Sequence, residues 1–113
     1  MFELAQELIT FLLSKTEFTE VMSDRLTPIV SSETSPYPFA NYMVKDDPGF
    51  TKDADAQSGS LFFYFEKEGY MKCAQFLDVM KPIIKEKYEW LGSDIEFVES
   101  DQSFVGIINF NKV

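Results

Sequence analysis

Apolar residues recur at three- and four-residue spacing over 2–13. Leu4, Ala5, Leu8, Ile9, Leu12 and Leu13 share one side, with Glu3, Gln6 and Glu7 on the other. That is the period of an amphipathic helix. Glu17 to Met22 adds a further turn before Ser23-Asp24 breaks the pattern. The segment from Arg25 to Val30 reads as extended, and Pro28 confines it to an edge or partial strand because proline cannot donate to a ladder. After a polar link over 31–35, residues 37–44 form a strand that follows Pro38. Residues 45–58 hold Asp46, Asp47, the turn pair Pro48-Gly49, Asp53 and Asp55, with Phe50 the lone large apolar group. No helical or strand period runs through them, so a long mobile loop is expected here.

Gly59 to Glu66 is different. Leu61, Phe62, Phe63, Tyr64 and Phe65 put apolar groups on both faces, the mark of a central strand. A second long helix starts near Tyr70 and carries one stripe of Tyr70, Cys73, Ala74, Leu77, Met80, Ile84 and Tyr88, with Pro82 expected to kink or restart it. Two alternating runs close the chain, 95–99 and 104–110, joined by the turn residues Ser100-Asp101-Gln102-Ser103. Strands adjacent in sequence usually pair antiparallel. The fold class expected is therefore α+β, a single domain over 1–113. It has a four- to five-stranded mixed or mainly antiparallel sheet with two helices packed on one face.

Composition narrows what such a domain does. The chain has 113 residues, and twelve Phe, five Tyr and one Trp are enough for a real core. Its 19 acidic residues against 10 basic ones give a formal charge of −9. That balance argues against phosphate-backbone binding, which needs a basic face, and against docking on anionic membranes. The plain reading of the charge is solubility. The sharper one is a surface that repels nucleic acid or meets a basic partner. The acidic start Met1-Phe2-Glu3 is unlike a signal peptide, and the apolar stretch Leu8 to Leu13 is too short to span a bilayer. One cysteine gives no internal disulfide, so a cytoplasmic protein is expected.

Catalytic chemistry has little to stand on. The chain has no histidine, which removes the commonest general base and metal ligand. Cys73 sits on the apolar stripe of the second helix and reads as core. None of the five glycines sits in a phosphate-binding context. Asp53-Ala54-Asp55 begins like a calcium loop, but Ser58 stands where the turn glycine belongs. Phe62 to Phe65 carries no interleaved base, so a buried strand is favoured over a platform for single-stranded nucleic acid. No catalytic residue, cofactor or metal is expected.

The run Arg25-Leu26-Thr27-Pro28, then Tyr37-Pro38-Phe39-Ala40-Asn41-Tyr42, and later Gly69-Tyr70-Met71-Lys72-Cys73-Ala74 resembles the tail completion (tail terminator) proteins of long-tailed bacteriophages and prophages. The likeness covers roughly residues 1–90 and lies mostly in element order; residues 91–113 match only as two generic strands. It implies a structural protein that forms a ring, a hexamer in that family, at the head-proximal end of the tail. The ring ends tail-tube polymerisation and joins the tail to the head connector. The implied partners are other copies of the chain, the tail tube protein and the head–tail connector protein, with no sequence-specific nucleic acid and no membrane. The implied location is the cytoplasm of the bacterial host during assembly, then the virion tail. Two groups of residues become candidates for assembly. One is the acidic stretch with Asp46, Asp47, Phe50, Asp53 and Asp55, lining a lumen or ordering against a neighbour. The other is the edge at Arg25, Leu26, Thr27 and Ile29, since an open strand edge is a ready site for pairing between chains. The rival readings are an acidic DNA mimic that occupies a basic protein, another head–tail joining protein, and an enzyme built on carboxylates with Tyr or Lys.

Overall fold

A computed structural model describes residues 1–28, 37–51 and 54–112, with the backbone alone at 47–51 and 54–56. In chain order the elements are α1 (Phe2–Leu13), α2 (Thr16–Met22), β1 (Leu26–Pro28), β2 (Phe39–Thr51), β3 (Ala54–Phe65), α3 (Tyr70–Lys85), β4 (Tyr88–Val98) and β5 (Ser103–Lys112). The strands form one mixed sheet in the order β1-β2-β3-β5-β4. β1 runs parallel to β2, and the other neighbours are antiparallel.

The register explains how the two faces differ. Directly opposed residues share a face, so rungs can be read across the sheet. One set runs Ala40–Phe63–Gly106–Ile95, Tyr42–Leu61–Ile108–Ser93 and Val44–Gly59–Phe110–Trp90. The helices pack on this face. Leu4, Leu8 and Leu12 of α1, Phe18 and Met22 of α2, and Cys73, Phe76, Leu77, Met80, Ile83 and Ile84 of α3 join it in one buried cluster. Phe76 meets Phe63 edge to face at 4.9 Å between centroids, and Phe18 meets Phe63 at 6.4 Å. Gly106 is required where α3 crosses β5, because a Cβ there would lie 2.8 Å from Cys73 Sγ. The middle of α1 is tied down by Glu7, whose carboxylate meets Lys87 at 3.4 Å and Lys112 at 3.6 Å and accepts from Tyr88 Oη at 3.4 Å.

The α+β class and the mixed sheet agree with the sequence pattern, and four expectations are corrected. Residues 45–51 and 54–58 are strand, not loop. β2 and β3 stay paired through Lys45↔Ser58, Asp46↔Gln57 and Asp47↔Ala56 to Thr51↔Ala54, with an irregularity between Asp47 and Thr51. Backbone ladders need no apolar alternation, so a hairpin outside the core leaves no hydrophobic period to read. The region after Ser14-Lys15 is a separate helix, α2, which makes three helices in place of two. α3 runs to Lys85 through Pro82 without interruption. Tyr88 belongs to β4, which begins seven residues before the sequence pattern at Ile95 suggests. Its early half is hidden by a register shift between Trp90 and Gly92, where Gly92 takes φ +135°. That extra residue breaks the alternation that would have marked a strand.

Candidate assembly surface

The second face of the sheet carries no described helix. Its rungs run Phe39–Tyr64–Val105–Glu96, Asn41–Phe62–Ile107–Asp94, Met43–Ser60–Asn109 and Lys45–Ser58–Asn111–Glu89. One end is aromatic. Phe39 stacks on Tyr64 with centroids 4.8 Å apart and planes 11° from parallel, and Tyr37 adds a third ring 5.4 Å from Phe39. Phe39, Phe62, Tyr64 and Ile107 are only half-buried. The other end is polar, where Ser60 donates to Asn109 Oδ1 at 2.6 Å and Asn111 donates to Glu89 at 3.2 Å. β4 lines one margin with Glu89, Asp94 and Glu96, all exposed. Half-covered aromatic area makes this face a candidate protein-contact surface.

The two sheet edges are unequal. β1 is described over three residues, the last of them the exposed Pro28. Arg25 is spent inside the chain: its Nε donates to Pro38 O at 2.7 Å, its Nη2 to Val21 O at 3.4 Å, and its own carbonyl accepts from Ala40 N at 2.8 Å. Leu26 packs against the core, and Thr27 donates to Asn41 Oδ1 at 3.1 Å. Ile29 lies outside the described residues. Three of the four edge candidates thus hold the β1–β2 junction together. The longer edge is β4, eleven residues whose outer side has no strand neighbour among the described residues. Leu91 and Phe97 stand about half exposed on it, at 52% and 49%. The sequence pattern missed this edge because its first half could not be read as strand.

The acidic candidates fall on the β2–β3 ribbon. β5 pairs with β3 only from Ser58 to Phe65, so residues 46–51 and 54–57 continue past β5 as two strands alone. The ribbon lengthens the molecule to 47 Å against 29 and 22 Å in the other directions. Asp46 accepts from Gln57 Nε2 at 3.0 Å and lies 3.6 Å from the amino-terminal ammonium of Met1. Asp47, Phe50 and Asp55 are placed on the ribbon by their backbone only, and Asp53 lies outside the described residues. The ribbon therefore brings Asp46, Asp47, Phe50 and Asp55 to one end of the molecule. The β1 candidates sit on the outer strand beside β2.

Little here does chemistry. Burial pushes the Cys73 thiol up to about 11, so it is a weak nucleophile held against α3 and β5. Burial first, and then the Glu7 charge beside it, raises Tyr88 well above the usual phenol range. Among the described residues no three His, Cys, Asp or Glu side chains converge as a metal site would require, and no described helix is long and apolar enough to cross a membrane.

No protein-family model matches the chain, and no curated protein matches it in sequence. A solved structure does match in fold. It is a chain from the virion of a native gene transfer agent particle, similar with a TM-score of 0.61 over 91% of this chain and 87% of that one, at 10% identity. The two chains share an architecture over nearly their whole lengths.

Proposed function

We propose that this chain is a structural protein of a phage-like particle. It forms a ring, a hexamer, at the head-proximal end of the tail, where it ends tube polymerisation and joins the tail to the head connector. The observation that carries the reading is the near full-length fold likeness to a chain of a gene transfer agent virion. The element order that resembles the tail completion proteins points the same way. The exposed parts of the molecule support self-assembly. The half-covered aromatic face, the eleven-residue β4 edge and the two-stranded ribbon are each a feature that a neighbouring subunit would complete. An isolated two-stranded ribbon is marginal in water, so residues 46–51 and 54–57 gain most from such a neighbour. In a ring, the charge of −9 per chain makes a strongly negative assembly, and a ribbon bearing Asp46, Asp47 and Asp55 at a lumen would repel passing DNA. The role needs no catalytic group and no cofactor. Its partners are further copies of the chain, the tail tube protein and the connector protein, met in the bacterial cytoplasm and kept in the virion tail.

The test is removal of the coding sequence from a phage-like element that carries it, followed by electron microscopy of the particles. Overlong tubes and tails unjoined to heads are the expected result, restored by supplying the chain in trans. Particles of normal tail length and normal joining would rule the role out.

A further inference from the structure

Between α2 and α3, bordering the aromatic end of the bare sheet face at Tyr37, lies an open groove of about 480 Å³. That is within the size of clefts that take ligands, about 300–1,000 Å³. Its floor is apolar, made by Phe65, Phe76, Val21 and Pro38, with Val79 and Tyr37 on its walls. Val79 is 43% exposed although it stands one turn from the buried Phe76. The two helix faces form the walls by spacing: Glu17, Glu20 and Val21 at one-turn intervals on α2, and Lys72, Gln75, Phe76 and Val79 on α3.

The rim is acidic. Glu17, Glu20 and Glu66 border the groove, and its single base, Lys72, already lies 3.6 Å from Glu66. Glu17 and Glu20 have no ion-pair partner among the described residues. An apolar floor beneath unpaired acids selects for an occupant with large apolar side chains flanked by Lys or Arg. The chain itself does not supply one nearby. The segment 29–36 before Tyr37 reads Ile-Val-Ser-Ser-Glu-Thr-Ser-Pro, with one acid and no base, and a second copy brings a charge of −9.

We propose that this groove docks a basic, amphipathic segment of a different protein, its apolar residues one helical turn apart over Phe65, Phe76 and Val79 and its cations on Glu17 and Glu20. The proposal stands whether or not the chain forms a ring. It is tested by fluorescence anisotropy with a short labelled leucine–lysine peptide of helical spacing and its leucine–glutamate counterpart. The lysine peptide is expected to bind saturably and the glutamate peptide not to bind. Glu17→Gln with Glu20→Gln is expected to weaken binding about tenfold, equivalent to roughly 1.4 kcal/mol. The exposed-wall change Val79→Glu is expected to abolish it. The paired change Glu89→Gln with Glu96→Gln removes the same charge from the bare sheet face and is expected to shift affinity by less than about twofold, because distant surface charges are screened. Equal losses from the two glutamate pairs would reveal attraction to net charge alone and overturn the proposal. So would unchanged binding in Val79→Glu, or no binding of the lysine peptide to the unmodified protein.

Discussion

The two faces of the one sheet are built from the same strands and differ in what covers them. On the covered face Leu61, Phe63, Ile108 and Phe110 are fully buried under three helices. One residue along each strand, Phe62, Tyr64 and Ile107 point the other way and stay half-open. A face that must only stay soluble would carry polar residues at these positions, as antiparallel sheets with one wet face do. Stacked aromatics there gain less from folding than fully buried ones, and in the proposed assembly this is the area a neighbouring surface would cover. The contrast gives a working rule: changes on the covered face should be read in folding, and changes on the bare face in association.

The largest effect is expected at the centre of the covered face. Phe63→Ala removes a fully buried ring that touches Phe18 and Phe76, and should cost about 3–5 kcal/mol in denaturant unfolding. A loss below about 1 kcal/mol would mean that the helices do not close over the sheet as described. Gly106→Val comes next, since its side chain would enter the space of Cys73 and Leu77. Overpacking of this kind costs about 1–3 kcal/mol. The same contact makes a reactivity test. With its thiol pushed up to about 11, Cys73 should label far more slowly in the native protein than in urea at mildly alkaline pH. The neutral thiol's contribution to stability is full below its ordinary value of 9.0 and is lost as the pH rises through about 11.

On the bare face, Tyr64→Ala removes the stacked pair with Phe39 and should lower stability by only about 0.5–1.5 kcal/mol while weakening self-association strongly. A large stability loss with intact association would erase the distinction between the faces. The smallest effect is expected at the ribbon. Asp46→Asn breaks an exposed contact with the amino terminus and should change the unfolding free energy by less than about 0.5 kcal/mol. Replacing Asp46, Asp47, Asp53 and Asp55 together by Asn should likewise leave folding intact and alter assembly or DNA passage in particles. If both remain as before, the ribbon's charge has no such role.

How far the sequence could be read follows the same division. β3 was visible because Leu61 to Phe65 is apolar on both faces, which only a central strand tolerates. α1 and most of α3 were visible from their buried stripes, Leu4-Leu8-Leu12 and Cys73-Leu77-Met80-Ile84. Elements outside the core were not. The ribbon is held by backbone bonds between small and polar residues, so its strands carry no period. Tyr88 sits four residues after Ile84 and therefore continues the helical stripe in sequence, although in space it starts β4 and packs on Phe110 at 4.8 Å. The Gly92 irregularity hides the rest of that strand. Of the assembly candidates, Asp46, Asp47, Phe50 and Asp55 fall on the ribbon, while Arg25 is occupied with Val21 and Pro38. The longer β4 edge and the α2–α3 groove depend on contacts between distant segments that no local pattern announces.

Assembly as proposed joins copies of this chain through the bare face and the open β4 edge. Native mass measurement of the purified protein over a wide concentration range, beside the Tyr64→Ala variant, tests it most directly. The expected result is a species of six chains that grows with concentration, each chain 13.0 kDa, and its loss in the variant at unchanged fold. A single-chain mass at every concentration, or an assembly that Tyr64→Ala leaves untouched, would contradict it.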